Sequence, residues 1–108
     1  MMRGDFVTIA VQGDFGKPRP ALVIQADQYR GHSTVTVLLV TSTVIDTPLL
    51  RITVEPDAIN GLQKVSQVMV DKVMTVKLDK VGNIIGCIKA ETLMEVERCL
   101  AVFLGIAK

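Results

Sequence analysis

Runs and alternations of apolar residues divide the chain into short extended segments and a single helix. Phe6-Val7-Thr8-Ile9-Ala10-Val11 predicts a first strand, and the Gly and Asp residues of Gln12-Gly13-Asp14-Phe15-Gly16-Lys17 predict the turn of a hairpin. Pro18 and Pro20 bracket Arg19, and the unbroken apolar run Ala21-Leu22-Val23-Ile24 suits a strand buried on both faces. The prolines place the first part of that strand at an edge, or ahead of its ladder. A polar connection over 27–33 leads to a long strand over 34–43, and Asp46-Thr47-Pro48 breaks the chain. A fourth strand is predicted over 49–54, a helical turn over 56–61, and one or two further strands over 65–70 and 73–78. Leu93, Val96, Leu100 and Phe103 recur at spacings of 3, 4 and 3, the apolar stripe of an amphipathic helix packed on a sheet, with Gly105 ending it.

Composition strengthens the β reading, since 16 Val, 9 Ile and 9 Thr supply the branched side chains that suit a pleated surface. At 49% hydrophobic and 21% charged residues, the composition is that of a folded chain, and 108 residues fit one domain over 1–108. No apolar run approaches the roughly 20 residues needed to span a bilayer, and the first five residues lead into no secretory core, so no membrane partner and a cytoplasmic location are expected. Cys87 and Cys99 both sit in apolar surroundings and are read as reduced core residues. With 12 Lys and Arg against 11 Asp and Glu, there is no overall basic excess of the kind that marks many nucleic-acid binders, so any cationic patch must be made by folding.

Several chemistries find no pattern to carry them. The glycines of Gly13-Asp14-Phe15-Gly16-Lys17 are too close together for a phosphate loop, and Pro18 stands where such a loop needs Ser or Thr. Two cysteines and the single His32 have no zinc spacing, and there is no Gly-x-Ser-x-Gly nucleophile elbow. Neither a metal nor a cofactor is therefore expected. His32 has a suitable intrinsic pKa for proton transfer, but it lies mid-connection and is read as an exposed loop residue.

One polar pair stands out by geometry. If the second and third strands form an antiparallel hairpin centred near residue 30, Arg19 faces Thr41, with Lys17 close by. A guanidinium beside a hydroxyl can hold a phosphate through the bidentate fork and one further donor. The same two residues could equally be an edge Arg in solvent and an ordinary strand Thr, and a one-residue slip of register would part them.

The motifs Met2-Arg3-Gly4-Asp5-Phe6-Val7, Lys17-Pro18-Arg19-Pro20-Ala21-Leu22-Val23-Ile24-Gln25 and Leu38-Leu39-Val40-Thr41-Ser42, in this order, resemble those of the MazF/PemK family of toxins. Asn60-Gly61-Leu62, Ser66-Gln67-Val68, Asp71-Lys72-Val73-Met74-Thr75-Val76 and Ile85-Gly86 extend the resemblance almost from end to end. The resemblance implies a mainly β fold, an SH3-like barrel with short helices and a C-terminal helix, acting as a homodimer. It also implies metal-independent cleavage of single-stranded RNA at short sequences, and a cognate antitoxin whose C-terminal segment occupies the RNA groove. Carried over by motif, Arg19 and Thr41 match catalytic residues, Asp71 matches an acidic residue implicated in catalysis in some members, and Lys17, Ser42 and Gln67 are expected to bind substrate. Asp71 also reads as a strand-end residue paired with Lys72 or capping a turn. Two positions depart from the pattern of some members, Pro18 for a His and Met69 for an Arg, which leaves the general base unassigned. A gyrase poison of the CcdB type shares the fold, but it resembles proteins ending in a Trp-containing tail. This chain has no Trp and ends Leu104-Gly105-Ile106-Ala107-Lys108. A non-catalytic homologue that binds antitoxin or RNA is the remaining alternative.

Overall fold

In a computed structural model describing residues 1–11 and 17–108, six strands form one antiparallel sheet followed by a helix. The strands are β1 (Asp5–Ala10), β2 (Pro18–Val23), β3 (Thr34–Thr41), β4 (Arg51–Val54), β5 (Ser66–Lys77) and β6 (Val81–Cys87), and helix α1 spans Ala90–Phe103. Asp27–Tyr29 and Leu78–Lys80 form single 3-10 turns. The sheet order is β4-β5-β3-β2-β1-β6. The hairpin turn expected over 12–17 lies, except for Lys17, outside the described residues.

Strands β1, β2 and β3 are buried on both faces, as the run at Ala21 to Ile24 foretold for β2 alone. On one face Phe6, Leu22, Leu38 and Val40 pack with Ile52 and Val54 of β4, Val68 and Val70 of β5, and Val96 of α1. On the other, Val7, Ile9, Ala21, Val23, Val35 and Val37 form a second core, against which Met74, Val76 and Val81 are packed. Truncating a fully buried side chain such as Phe6 or Leu38 costs about 2–5 kcal/mol in cores of this kind. Because β4 and β1 feed the same core from distant places in the sheet order, the sheet coils on itself in the manner of a barrel.

Strand β5 serves both cores through a bulge. Val40 pairs with Val68 but Leu38 pairs with Val73, so the register shifts within the stretch that holds Asp71 and Lys72. Even-numbered Val68 and Val70 face the first core before the bulge, and even-numbered Met74 and Val76 face the second after it. The two predicted strand segments over 65–70 and 73–78 are thus one strand with an irregular middle.

The ladder itself does not close, and a turn seals the seam between β4 and β6. The Cys87 N–H donates to the Ile59 carbonyl at 3.1 Å. A Cβ on Gly86 would stand 2.3 Å from Ile59 O and from the Asn60 carbonyl carbon, and one on Gly61 would stand 1.9 Å from Ile85 O. This close approach calls for Gly86, and Thr8 of β1 likewise crowds Gly82, so β6, with Gly82, Asn83 and Gly86 in seven residues, carries no strand signal in the sequence. The predicted helical turn over 56–61 is an Asp-capped turn instead: Asp57 Oδ1 accepts the Ile59 and Asn60 N–H groups, each at 2.8 Å, and Gly61 takes φ +70°.

Two strand boundaries are shorter than predicted, for local reasons. Strand β3 stops at Thr41, where the Thr43 N–H turns back to the Thr41 hydroxyl oxygen at 3.1 Å and leaves the ladder. Strand β4 begins at Arg51 because the Leu50 and Arg51 N–H groups both close on the Thr47 carbonyl. Both prolines of β2 precede the β2/β3 ladder, which starts at Ala21, so their missing N–H groups leave no gap in it.

Helix α1 buries Val96 and half-buries Leu93, Cys99 and Leu100 against the first core. Phe103, the last residue of the predicted stripe, is 47% exposed, because the helix end runs past the core. The helix ends as expected at Gly105, φ +75°, in a Schellman motif: Gly105 N–H bonds Val102 O and Ile106 N–H bonds Ala101 O. Both cysteines are free and half-buried, and burial together with the Glu95 carboxylate pushes the Cys99 thiol up.

Gly86→Ala forces a methyl into backbone atoms of the sealing turn, and is expected to destabilise the fold by about 1–3 kcal/mol or more in urea unfolding. The Asp57 carboxyl is held below its ordinary value of 3.8 by the Asn60 and Ile59 amides, with the Lys89 ammonium adding to the effect. Its stabilisation is therefore present above the unfolded carboxylate range and is lost as pH falls through the lowered value. Comparing thermal midpoints of wild type and Asp57→Asn should show an advantage for wild type at neutral pH that disappears in acid.

Candidate active site

The ladder between β2 and β3 pairs Ala21 with Leu39, Leu22 with Leu38 and Val23 with Val37. Continued by two residues, this register puts Arg19 opposite Thr41, the arrangement expected from the sequence. Apolar side chains on both faces hold it, since a one-residue slip would exchange the two cores along the whole strand. The start of β2 and the end of β3 then form two walls of a cleft of about 410 Å³, lined by Lys17, Pro18, Arg19 and Pro20 on one side and Val40, Thr41, Ser42 and Thr43 on the other, with Ser66 at one side. The structure thus brings together Lys17, Arg19, Thr41 and Ser42.

The described residues lining this cleft include two cations, Lys17 and Arg19, and no carboxylate. Both cationic residues are exposed. The Thr41 oxygen accepts the Thr43 N–H, which leaves its own O–H to donate into the cleft. A guanidinium fork, an ammonium and hydroxyl donors around one concavity suit an anionic ligand with several oxygens, such as a phosphodiester. Among the described residues no three His, Cys, Asp or Glu side chains are grouped to hold a metal ion. A second cleft, about 440 Å³, shares Pro18, Pro20, Ser42 and Ser66 with the first and continues past Leu62, Gln63, Lys64 and Ile85. Together they make a groove longer than a single phosphate needs.

The remaining sequence candidates are not among the described residues lining this cleft. Asp71 sits in the β5 bulge and forms an ion pair with Arg51, whose guanidinium also donates to Leu50 O at 3.0 Å. Both side chains are largely buried, and Asp71 is not among the described residues lining the Arg19 cleft. Gln67 is buried, with its amide hydrogen-bonded to the backbone of Ile45 and to Thr53. His32 is exposed in the turn after Gly31, at the far end of the β2/β3 hairpin, where it lines a separate cleft with Asp27 and Arg30. Sequence reading missed Thr43 and Ser66. Thr43 carried a faint signal, since Ser and Thr readily turn a chain through local hydrogen bonds.

A family model described as a PemK-like, MazF-like toxin of type II toxin–antitoxin systems matches residues 2–104. The chain belongs to the PemK/MazF toxin family. It is 44% identical over 108 residues to a protein of Mycolicibacterium smegmatis named "Probable endoribonuclease MazF", covering 99% of each chain. Among solved structures, a mycobacterial endoribonuclease in complex with its cognate antitoxin superposes with a TM-score of 0.84 at 21% identity, over 100% of this chain and 98% of the other. A MazE–MazF structure from Deinococcus radiodurans superposes with a TM-score of 0.79 at 25% identity, over 99% of this chain and 97% of the other. These likenesses agree with the coiled sheet and terminal helix of the PemK/MazF fold.

Within this family member, Asp71 and Arg51 are a pair whose loss is readable in stability. Asp71→Asn leaves a largely buried guanidinium without its carboxylate, and is expected to lower unfolding free energy by about 1–2 kcal/mol, seen as a lower urea midpoint at unchanged slope.

Proposed function

We propose that this PemK/MazF-family chain is a metal-independent endoribonuclease that cuts single-stranded RNA within short sequences, and that by cutting messenger RNA it halts translation and growth. The observation that carries this reading is the cleft that joins Lys17 and Arg19 to Thr41 and Ser42, where the β2/β3 register, continued two residues, sets Arg19 opposite Thr41. Cleavage by the neighbouring 2′-hydroxyl builds negative charge on the phosphorus oxygens before the 5′-oxygen leaves. Arg19 stays protonated throughout, so its role is to stabilise that charge rather than to take a proton. Thr41 donates its O–H to a phosphate oxygen and fixes the orientation of the scissile group. Lys17 and Ser42 hold the phosphate from the two walls, and the continuation of the groove past Lys64 supports an extended strand as substrate. The charge that a metal would otherwise neutralise is met by Arg19 and Lys17.

The antitoxin-bound relatives support a cognate antitoxin as partner, with its C-terminal segment laid along the same groove. Exposed Val102, Phe103 and Leu104 at the end of α1, with Leu49 from the connection before β4, supply apolar surface of the kind that a second copy covers in a homodimer. Cutting messenger RNA places the action in the cytoplasm. No helix among the described residues is long and apolar enough to cross a membrane.

The test is incubation of the purified protein with a long single-stranded RNA in EDTA, with cut positions and end chemistry mapped. Discrete cuts are expected from wild type, with Arg19→Ala slower by about 100- to 1,000-fold at unchanged fold. Arg19→Lys should also lose most activity, because one ammonium cannot reproduce a bidentate fork. Wild-type rates in Arg19→Ala, or no cuts from the folded wild type, overturn the proposal.

A further inference from the structure

We infer that Gln67 is the positioning residue of the Arg19–Thr41 site, its buried side-chain amide holding the segment just past Thr41, which carries Ser42 and Thr43, where the sheet no longer can. The inference rests on reading that cleft as the RNA-cleaving centre.

Strand β3 ends at Thr41, and the chain then leaves the sheet until β4 starts at Arg51. Exposed connections without a ladder are the mobile parts of small domains, yet Thr41, Ser42 and Thr43 form one wall of the cleft. Gln67 stands in β5 directly between Thr41 of β3 and Thr53 of β4. It is 3% exposed. Its Oε1 accepts the Ile45 N–H at 3.0 Å, and its Nε2 donates to the Ile45 carbonyl at 2.9 Å and to the Thr53 hydroxyl at 3.1 Å.

The two bonds to Ile45 reproduce with a side chain the paired exchange that a neighbouring strand would make with its backbone. They also fix which end of the amide is oxygen, because the Ile45 N–H can meet only an acceptor. Both amide hydrogens of Gln67 are thereby used, so it has no donor left for a substrate. Its effect on the site is indirect. Ile45 is anchored two residues beyond Thr43, and the Thr43 N–H in turn sets the Thr41 hydroxyl by donating to it. Releasing Ile45 removes the constraint that holds this short stretch, and with it the direction of the Thr41 O–H.

Gln67→Leu keeps the bulk and removes the clamp, and Gln67→Glu keeps the length and the Ile45 N–H bond but, when ionised, cannot donate to Ile45 O. In both, kcat for RNA cleavage should fall about 10- to 100-fold, the cost of misplacing a reacting group, while KM stays within about threefold. Amide exchange at Thr43 and Ile45 should quicken by about tenfold or more, with Val37 and Val68 in the core strands unchanged. Circular dichroism identifies any variant that fails to fold, and the Glu variant decides if the Leu variant does. A folded variant that cuts within about threefold of wild type overturns the inference. So does a loss confined to KM, which would make Gln67 a group that holds RNA, and so does unchanged exchange at Thr43. If wild type makes no cuts, the endoribonuclease reading fails instead, and the exchange measurement alone decides whether Gln67 holds the segment.

Discussion

The molecule depends on the pairing of β2 with β3. Ala21, Leu22 and Val23 lie opposite Leu39, Leu38 and Val37, and alternate residues of this pair enter two different cores. Burial on both faces makes the register close to absolute, since a shift by one residue would place every side chain of the strand in the wrong core. The same register reaches past the ladder to Arg19 and Thr41, which therefore inherit a mutual placement whose energy is supplied by apolar contacts they do not make. A candidate active site at the open end of a hairpin whose middle is buried on both faces is held in place without being buried itself.

The rest of the barrel adapts to that hairpin through local irregularities. The β5 bulge lets one strand contribute to both cores, and it places Asp71 against Arg51. The seam between the sheet edges closes where backbone meets backbone, at Gly61, Gly86 and the turn capped by Asp57, since no side chain fits between. The same turn leads into Leu62, Gln63 and Lys64, one side of the groove that extends from the Arg19 cleft. Closure of the fold and extension of the groove thus use the same short segment.

Charge is arranged locally in a chain that is nearly neutral overall. Arg19 of β2 and Lys17 just before it reach one wall, and no carboxylate is among the described residues lining the cleft. Asp57 is turned into its own loop and Asp71 toward Arg51. Where a small enzyme must bind a polyanion, such segregation does what a basic composition does in larger nucleic-acid binders.

Much of this was legible in the sequence, because it rests on residue type and short-range spacing. Branched residues and apolar runs gave β1 to β5, the stripe from Leu93 gave α1, and Gly105 marked its end. The pairing of Arg19 with Thr41 followed from the position of the polar connection between two apolar strands. What stayed hidden depends on contacts between distant segments. Strand β6 carried no strand pattern because its glycines answer to distant segments, Gly86 to the turn at Ile59 and Asn60 and Gly82 to Thr8. Phe103 fitted the helical stripe, yet only the length of the core decides that it stays exposed. Gln67 is expected to bind substrate only through the family resemblance, and only the fold shows Ile45 and Thr53 as the partners of its amide. The sequence by itself determined β1 to β5, the helix and the family, and offered the β2/β3 register, since these follow from local pattern and ordered motifs. The tertiary structure alone decided which polar side chains face the cleft and which are consumed in holding it, because a hydrogen-bond partner far along the chain leaves no mark on the residues beside it.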